Sequence, residues 1–125
     1  MDRASKEPLS DLHILVVDDN PTFLEVCEVM LRSLGAKAIA TANSGADAYY
    51  KLSVTGPGVE RVVDCVLCDY NMANGNGLQL LQSVRTGQVK YFRPDASFIL
   101  MTANPSVEVI ETAAGLDASG FLANR

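Results

Sequence analysis

The pair Asp18-Asp19, the lone Asp69 and Thr102 set the chemical question in this chain. Asp18-Asp19 follows the apolar run His13 to Val17, Asp69 follows Val62 to Cys68, and Thr102 closes Ser97 to Thr102. Carboxylates brought within a few ångströms raise one another's pKa and repel, so their cluster is costly unless a cation or hydrogen-bond donors neutralise it. A hard divalent ion suits such an all-oxygen set. Mg²⁺ in particular keeps much of its hydration and accepts phosphate oxygens beside carboxylate ligands. The chemistry this points to is phosphoryl transfer to a carboxylate nucleophile, where positioning and charge neutralisation do most of the catalysis.

The elements must bring these residues together. The apolar runs His13 to Val17, Ala38 to Thr41, Val62 to Cys68, Ser97 to Thr102 and Gly120 to Ala123 read as strands, most of them buried on both faces. Between them lie helical patterns. Asn20-Pro21 has the cap and first-turn signature of a helix whose inward face is Leu24, Cys27, Leu31 and Leu34, stopped at Gly35. A second helix runs from a Ser44 cap through Ala48, Tyr49 and Leu52 and breaks at Gly56-Pro57-Gly58. Leu78, Leu81 and Val84 mark a third, and Asn104-Pro105 opens a fourth with Val107, Ile110 and Ala114 inward. The order βαβαβαβαβ predicts an α/β fold with a doubly wound, five-stranded parallel sheet. In such sheets ligands bind outside the carboxyl ends of the strands, where strand order reverses. Asp18, Asp19, Asp69 and Thr102 should therefore converge on one edge.

Each feature also has an ordinary reading. Asp-Asp-Asn after a strand makes a turn and a helix cap, and Asn74-Gly75-Asn76-Gly77 is most simply a tight turn. An EF-hand starting at Asp69 fails, since glycine is missing from its sixth position and Leu80 stands where the bidentate Glu belongs. Cys65 and Cys68 have CxxC spacing, yet residues three apart in a strand face opposite ways and no second Cys/His pair completes a zinc site. Buried, reduced cysteines are the simpler account. Tyr49, Tyr50 and the stretch Lys90-Tyr-Phe-Arg93 read as solvated loop or partner surface.

At 125 residues and 48% hydrophobic, the chain has room for one domain with one sizeable core. Residues 1–11 are polar and aperiodic, a flexible leader, and residues 12–125 form the domain. A net charge of −5 disfavours direct contact with nucleic acid or an anionic membrane. No apolar run approaches the roughly 18 residues of a membrane span, and a cytoplasmic location is expected.

These residues resemble a known family. Ile14-Leu-Val-Val-Asp18-Asp19-Asn20, Cys68-Asp69-Tyr-Asn-Met72 continuing to Asn76-Gly77-Leu78, then Leu100-Met-Thr102-Ala103 and Gly120-Phe121-Leu122, are similar in order and spacing to response-regulator receiver domains of two-component signalling, with a flavodoxin-like (CheY-like) fold. The resemblance implies that Asp69 is the phosphoacceptor, that Asp19 binds Mg²⁺ directly and Asp18 through water, and that Asn71 offers its backbone carbonyl. It implies that Thr102 moves toward the phosphoryl group and Phe121 moves inward with it; ordinary core packing is the other reading of Phe121. The implied partners are a sensor histidine kinase or a histidine phosphotransfer protein, with an output domain or a homodimer downstream. Such a domain catalyses its own modification and possesses no turnover substrate, so it is not expected to be an enzyme in that sense.

Two departures stand out. Where the family has a lysine three residues after the switch aromatic, this chain has Asn124, then Arg125. A neutral amide cannot make the lysine's ion pair, and Arg125 is either a partial substitute or a solvated terminal residue. The sequence also stops before the family's fifth helix, so either the parent protein continues past Arg125 or the face beside the first helix is left partly uncovered and prone to pairing. The alternative functions are a receiver-like interaction domain that works without phosphorylation, supported by Asn124, and a magnesium-dependent phosphatase, which would need a further general acid or substrate loop.

Overall fold

The computed structural model describes residues 9–10, 12–53, 63–72, 75–89, 92–102 and 120–123. Its elements are β1 (His13–Val17), α1 (Pro21–Ser33), β2 (Ala38–Ala42), α2 (Gly45–Ser53), β3 (Cys65–Asp69), β4 (Asn71–Met72), β5 (Gly75–Asn76), α3 (Gly77–Arg85), β6 (Ser97–Thr102) and β7 (Gly120–Ala123). Five strands form one parallel sheet in the order β2-β1-β3-β6-β7. The order reverses between β1 and β3, as a doubly wound sheet requires. The fourth helix expected from Asn104-Pro105 and the helix break at Gly56 to Gly58 lie outside the described residues, as does most of the leader. Leu9 is described, half-buried, and packs on the sheet through the cluster around Ile14.

Local chemistry explains the helix boundaries. The Asn20 side chain accepts hydrogen bonds from the Thr22 and Phe23 amides at 2.9 and 3.3 Å, and Pro21 occupies the first turn, where its missing N–H costs nothing. At the other end Gly35 takes φ 101°, a conformation that suits glycine. Its amide bonds the Arg32 carbonyl and that of Ala36 bonds Leu31, a Schellman closure. In α2 the Ser44 hydroxyl accepts from the Asp47 amide at 3.0 Å, while the Asp47 carboxylate accepts from Asn43.

Alternation along the strands divides the core between the two sheet faces. Leu15, Val17, Val66, Cys68, Phe98 and Leu100 pack with Leu52 of α2 and Leu80, Leu81 and Val84 of α3. Ile14 and Val16 face the other way, toward Leu24, Cys27 and Leu31 of α1. Cys65 and Cys68 fall on opposite faces, as strand alternation predicts, and all three cysteines are free. Beyond the strands expected from the sequence, the chain after Asp69 makes a short antiparallel ladder, β4 with β5, in which Asn71 opposes Asn76. Among the described residues no helix is long and apolar enough to cross a membrane.

Candidate metal centre

β1 runs into the core and delivers Asp18 at its carboxyl end, where the Asp18 amide donates to the Ala42 carbonyl of β2 at 3.1 Å. Asp18 is buried, 5% exposed, the one buried charged residue among those described. Its Oδ1 accepts from the Asn20 amide at 2.9 Å. Burial pushes its carboxyl up from the ordinary carboxylate range; the Asn20 hydrogen bond opposes this, and the charge of Asp19 adds to it. Asp19, the next residue, is exposed.

β3 brings Asp69 alongside. It is half-buried, stands in register with Met101 of β6, and its chain continues through the Tyr70 amide, which donates to the Met101 carbonyl at 2.8 Å. Carboxylate oxygens of Asp18, Asp19 and Asp69 lie within 4.8 Å of one another. Two strand ends adjacent in the sheet but distant in sequence thus converge on the switch point. A trio of hard oxygen donors, one sheltered and one open to solvent, fits a divalent cation that retains part of its hydration. It fits a soft-metal site poorly, because no thiolate is available. Burial and then nearby carboxylates push the thiols upward: Cys68 by Asp69 and Asp18, Cys27 by Asp18, Cys65 by Asp64. Cys65 and Cys68 also lie on opposite faces of the sheet, so the CxxC spacing does not bring its two thiols together.

The other residues singled out in the sequence are placed by backbone alone. Thr102 ends β6 one residue beyond the level of Asp69 and pairs with Ala123, and Phe121 pairs with Leu100. Asn71 begins β4, two residues after Asp69. The side chains of Thr102, Phe121 and Asn71 lie outside the described set, as do Asn124 and Arg125 entirely.

Gly77, which belongs both to the Asn74-Gly75-Asn76-Gly77 turn and to the Asn76-Gly77-Leu78 stretch, is more constrained than a turn alone requires. A Cβ added there would stand 2.7 Å from the Asp69 carbonyl oxygen, 2.8 Å from Leu100 Cδ2 and 3.2 Å from Cys68 Sγ. α3 therefore begins in direct contact with the strand that carries Asp69. The signals in the sequence were its place in the Asn76-Gly77-Leu78 stretch and a glycine at the start of an apolar helical pattern, where helix formers are otherwise preferred.

Comparisons with known proteins agree with this geometry. A family model described as the response regulator receiver domain matches residues 14–124. Transcriptional regulatory protein ZraR of Klebsiella oxytoca is 34% identical over 109 residues, covering 87% of this chain and 22% of that protein. ZraR of Escherichia coli (strain K12) is 33% identical over 112 residues, 90% of this chain and 23% of that protein. The chain thus spans less than a quarter of the length of these curated relatives. Among solved structures it is similar to the Mg²⁺ complex of the receiver domain of the histidine kinase CKI1 from Arabidopsis thaliana, with 22% identity and a TM-score of 0.78 over 94% of this chain and 86% of that one. It is also similar to response regulator TrrA from Thermotoga maritima in complex with Mg²⁺-BeF, with 26% identity and a TM-score of 0.73 over 91% and 87%.

Proposed function

We propose, from the premise that this chain belongs to the response regulator receiver domain family, that Asp69 accepts a phosphoryl group from a phosphohistidine of a sensor histidine kinase or phosphotransfer protein. The observation that carries this reading is the approach of the Asp18, Asp19 and Asp69 carboxylates to within 4.8 Å on the switch-point edge. In the transfer, an Asp69 carboxylate oxygen attacks phosphorus and the P–N bond breaks. The histidine nitrogen leaves with the electron pair, and an acyl phosphate is left on Asp69. Asp18, Asp19 and Asp69 would hold Mg²⁺, which when bound neutralises charge on the phosphoryl oxygens.

The protein's own part is positioning. Asp18 is sheltered and fixed by the Asn20 amide, so it defines the inner wall of the site, whereas exposed Asp19 faces the approaching donor. The Gly77 amide donates to the Tyr70 carbonyl at 2.8 Å, making Tyr70 and Gly77 a bonded rung of the small ladder. Alternation then turns the Asn71 carbonyl away from Asn76, which supports its reading as a further oxygen ligand. Thr102 would hydrogen-bond the new phosphoryl oxygens, and Phe121 would move with it, so that the added charge selects a second arrangement of the β6–β7 edge. The protein modifies itself and is not a turnover enzyme. The switch would act on an output module, as in a transcriptional regulator such as ZraR, or on a second copy of the chain.

The test is incubation with Mg²⁺ and a small-molecule phosphodonor, followed by intact mass of wild type and Asp69→Asn. A labile phosphoryl adduct on wild type alone is the expected result and would show that Asn124 permits the chemistry. Mg²⁺ binding without any adduct would favour the phosphorylation-independent interaction domain.

A further inference from the structure

The peptide joining Asp69 to Tyr70 is gripped from both sides. Its N–H donates to the Met101 carbonyl of β6 at 2.8 Å. Its carbonyl oxygen points the other way in a trans peptide, where it accepts from the Cys68 thiol at 3.3 Å and faces the Cα of Gly77. The next carbonyl, that of Tyr70, accepts the Gly77 amide at 2.8 Å. Helix α3 thus seats its first residue on the backbone of the residue that carries the acceptor carboxylate. The carbonyl carbon of this peptide is bonded to the Asp69 Cα, so a push on its oxygen is passed to the backbone that carries the Asp69 side chain.

We infer that Gly77 is a positioning residue for the Asp69 carboxylate, acting through this backbone contact, in a site read as the phosphoacceptor above. A methyl at position 77 would meet the Asp69 carbonyl oxygen at 2.7 Å, a backbone atom that no change of side-chain rotamer can move out of the way. Either α3 lifts away and loses the Gly77–Tyr70 hydrogen bond, or the Asp69 peptide tilts. The tilt strains the position of Asp69 in a trio whose oxygens must stay within a few ångströms of each other, and the lift removes the hydrogen bond that holds the neighbouring Tyr70 carbonyl. The second clash, 2.8 Å to Leu100 Cδ2, is of a different kind, because it involves the end of a flexible side chain and can be removed by shortening that side chain. Gly45 provides the contrast: it also begins a helix, α2, yet a Cβ there meets nothing within 4 Å.

The test compares wild type, Gly77→Ala, Leu100→Val, Gly77→Ala/Leu100→Val and Gly45→Ala, measuring thermal midpoint, Mg²⁺ affinity by calorimetry with the metal alone, and initial phosphorylation rate at saturating Mg²⁺. Gly77→Ala is expected to lower the midpoint, weaken Mg²⁺ binding about tenfold and slow phosphorylation at least about tenfold, since small misplacements of reacting groups cost such factors. Leu100→Val is expected to recover part of the lost midpoint in the double variant while Mg²⁺ affinity stays low. Gly45→Ala should bind Mg²⁺ as wild type does. Mg²⁺ affinity and rate within twofold of wild type in Gly77→Ala, or restoration of both by Leu100→Val, would overturn the inference. If Gly77→Ala alone does not fold, the double variant decides by the same Mg²⁺ criterion, and failure of both to fold would make Gly77 a folding residue and overturn it too. A wild type that binds Mg²⁺ but takes no phosphoryl group would sink the acceptor reading, while the Mg²⁺ titrations would still decide the role of Gly77.

Discussion

The two faces of the sheet are built from the same strands and are closed very differently. On the α2–α3 face, Leu15, Leu81, Phe98 and Leu100 are fully buried. On the α1 face, Ile14 and Val16 are buried, yet α1 itself has no fully buried residue, and Leu67 and Cys65 are only half-buried. Val26, Val29 and Met30 of α1 are 48–65% exposed, and so is its C-cap Leu34, which the helical period had placed inward but which lies past the last helical turn. Single exposed apolar residues are common, but four along one helix form a patch of the kind that marks an interaction surface. The backbone of Asp69 meets Gly77 and α3 on the first face, whereas Asp18 leads directly into α1 on the second.

Several substitutions would break or sharpen this contrast. The largest effect is expected for Phe98→Ala, a cavity sealed between sheet and helices, at about 3–5 kcal/mol in urea unfolding. Leu31→Ala on the α1 face, where water can fill the space, should cost no more than about 2 kcal/mol by the same measurement. Equal losses at the two sites would erase the distinction between the faces.

Asp18→Asn should act in the opposite direction and stabilise the Mg²⁺-free protein by about 1 kcal/mol at neutral pH, because function has placed a charge where burial opposes it. The sign follows from linkage. The folded-state pKa of Asp18 is raised by burial, so the folded state holds its proton longer, and stability falls as pH rises from the unfolded pKa through the folded one. The advantage of Asn should therefore be full above that window and vanish below it, and saturating Mg²⁺ should shrink or reverse it. An Asn variant less stable than wild type at pH 7 without Mg²⁺ would contradict the burial argument. The smallest change is expected for Met30→Lys, under about 0.5 kcal/mol in stability, accompanied by a loss of concentration-dependent light scattering if the α1 patch pairs. Wild type that stays monomeric at every concentration would remove that role from the patch.

Much of the site was legible because it depends on local rules. Asp18-Asp19 and Asp69 follow apolar runs, and the switch-point rule for doubly wound sheets sends such residues to one edge without reference to any distance. The helix start at Asn20-Pro21 and its stop at Gly35 were legible for the same reason, since caps are contacts between neighbours in sequence. The β4–β5 ladder was not, because four residues rich in Asn and Gly make a turn on their own, and only the seating of α3 against Tyr70 draws out the short strands. Leu80 was also missed from the α3 core face, where Leu78, the residue read as inward, is only half-buried.

The sequence by itself therefore determined which chemistry is carried, a carboxylate trio at the ends of two strands, since residue type and its place after an apolar run are properties of the chain alone. Only the tertiary structure decided that Gly77 must lack a side chain. That depends on how closely α3 approaches β3 at Asp69, and neither hydrophobic period nor turn chemistry encodes that distance.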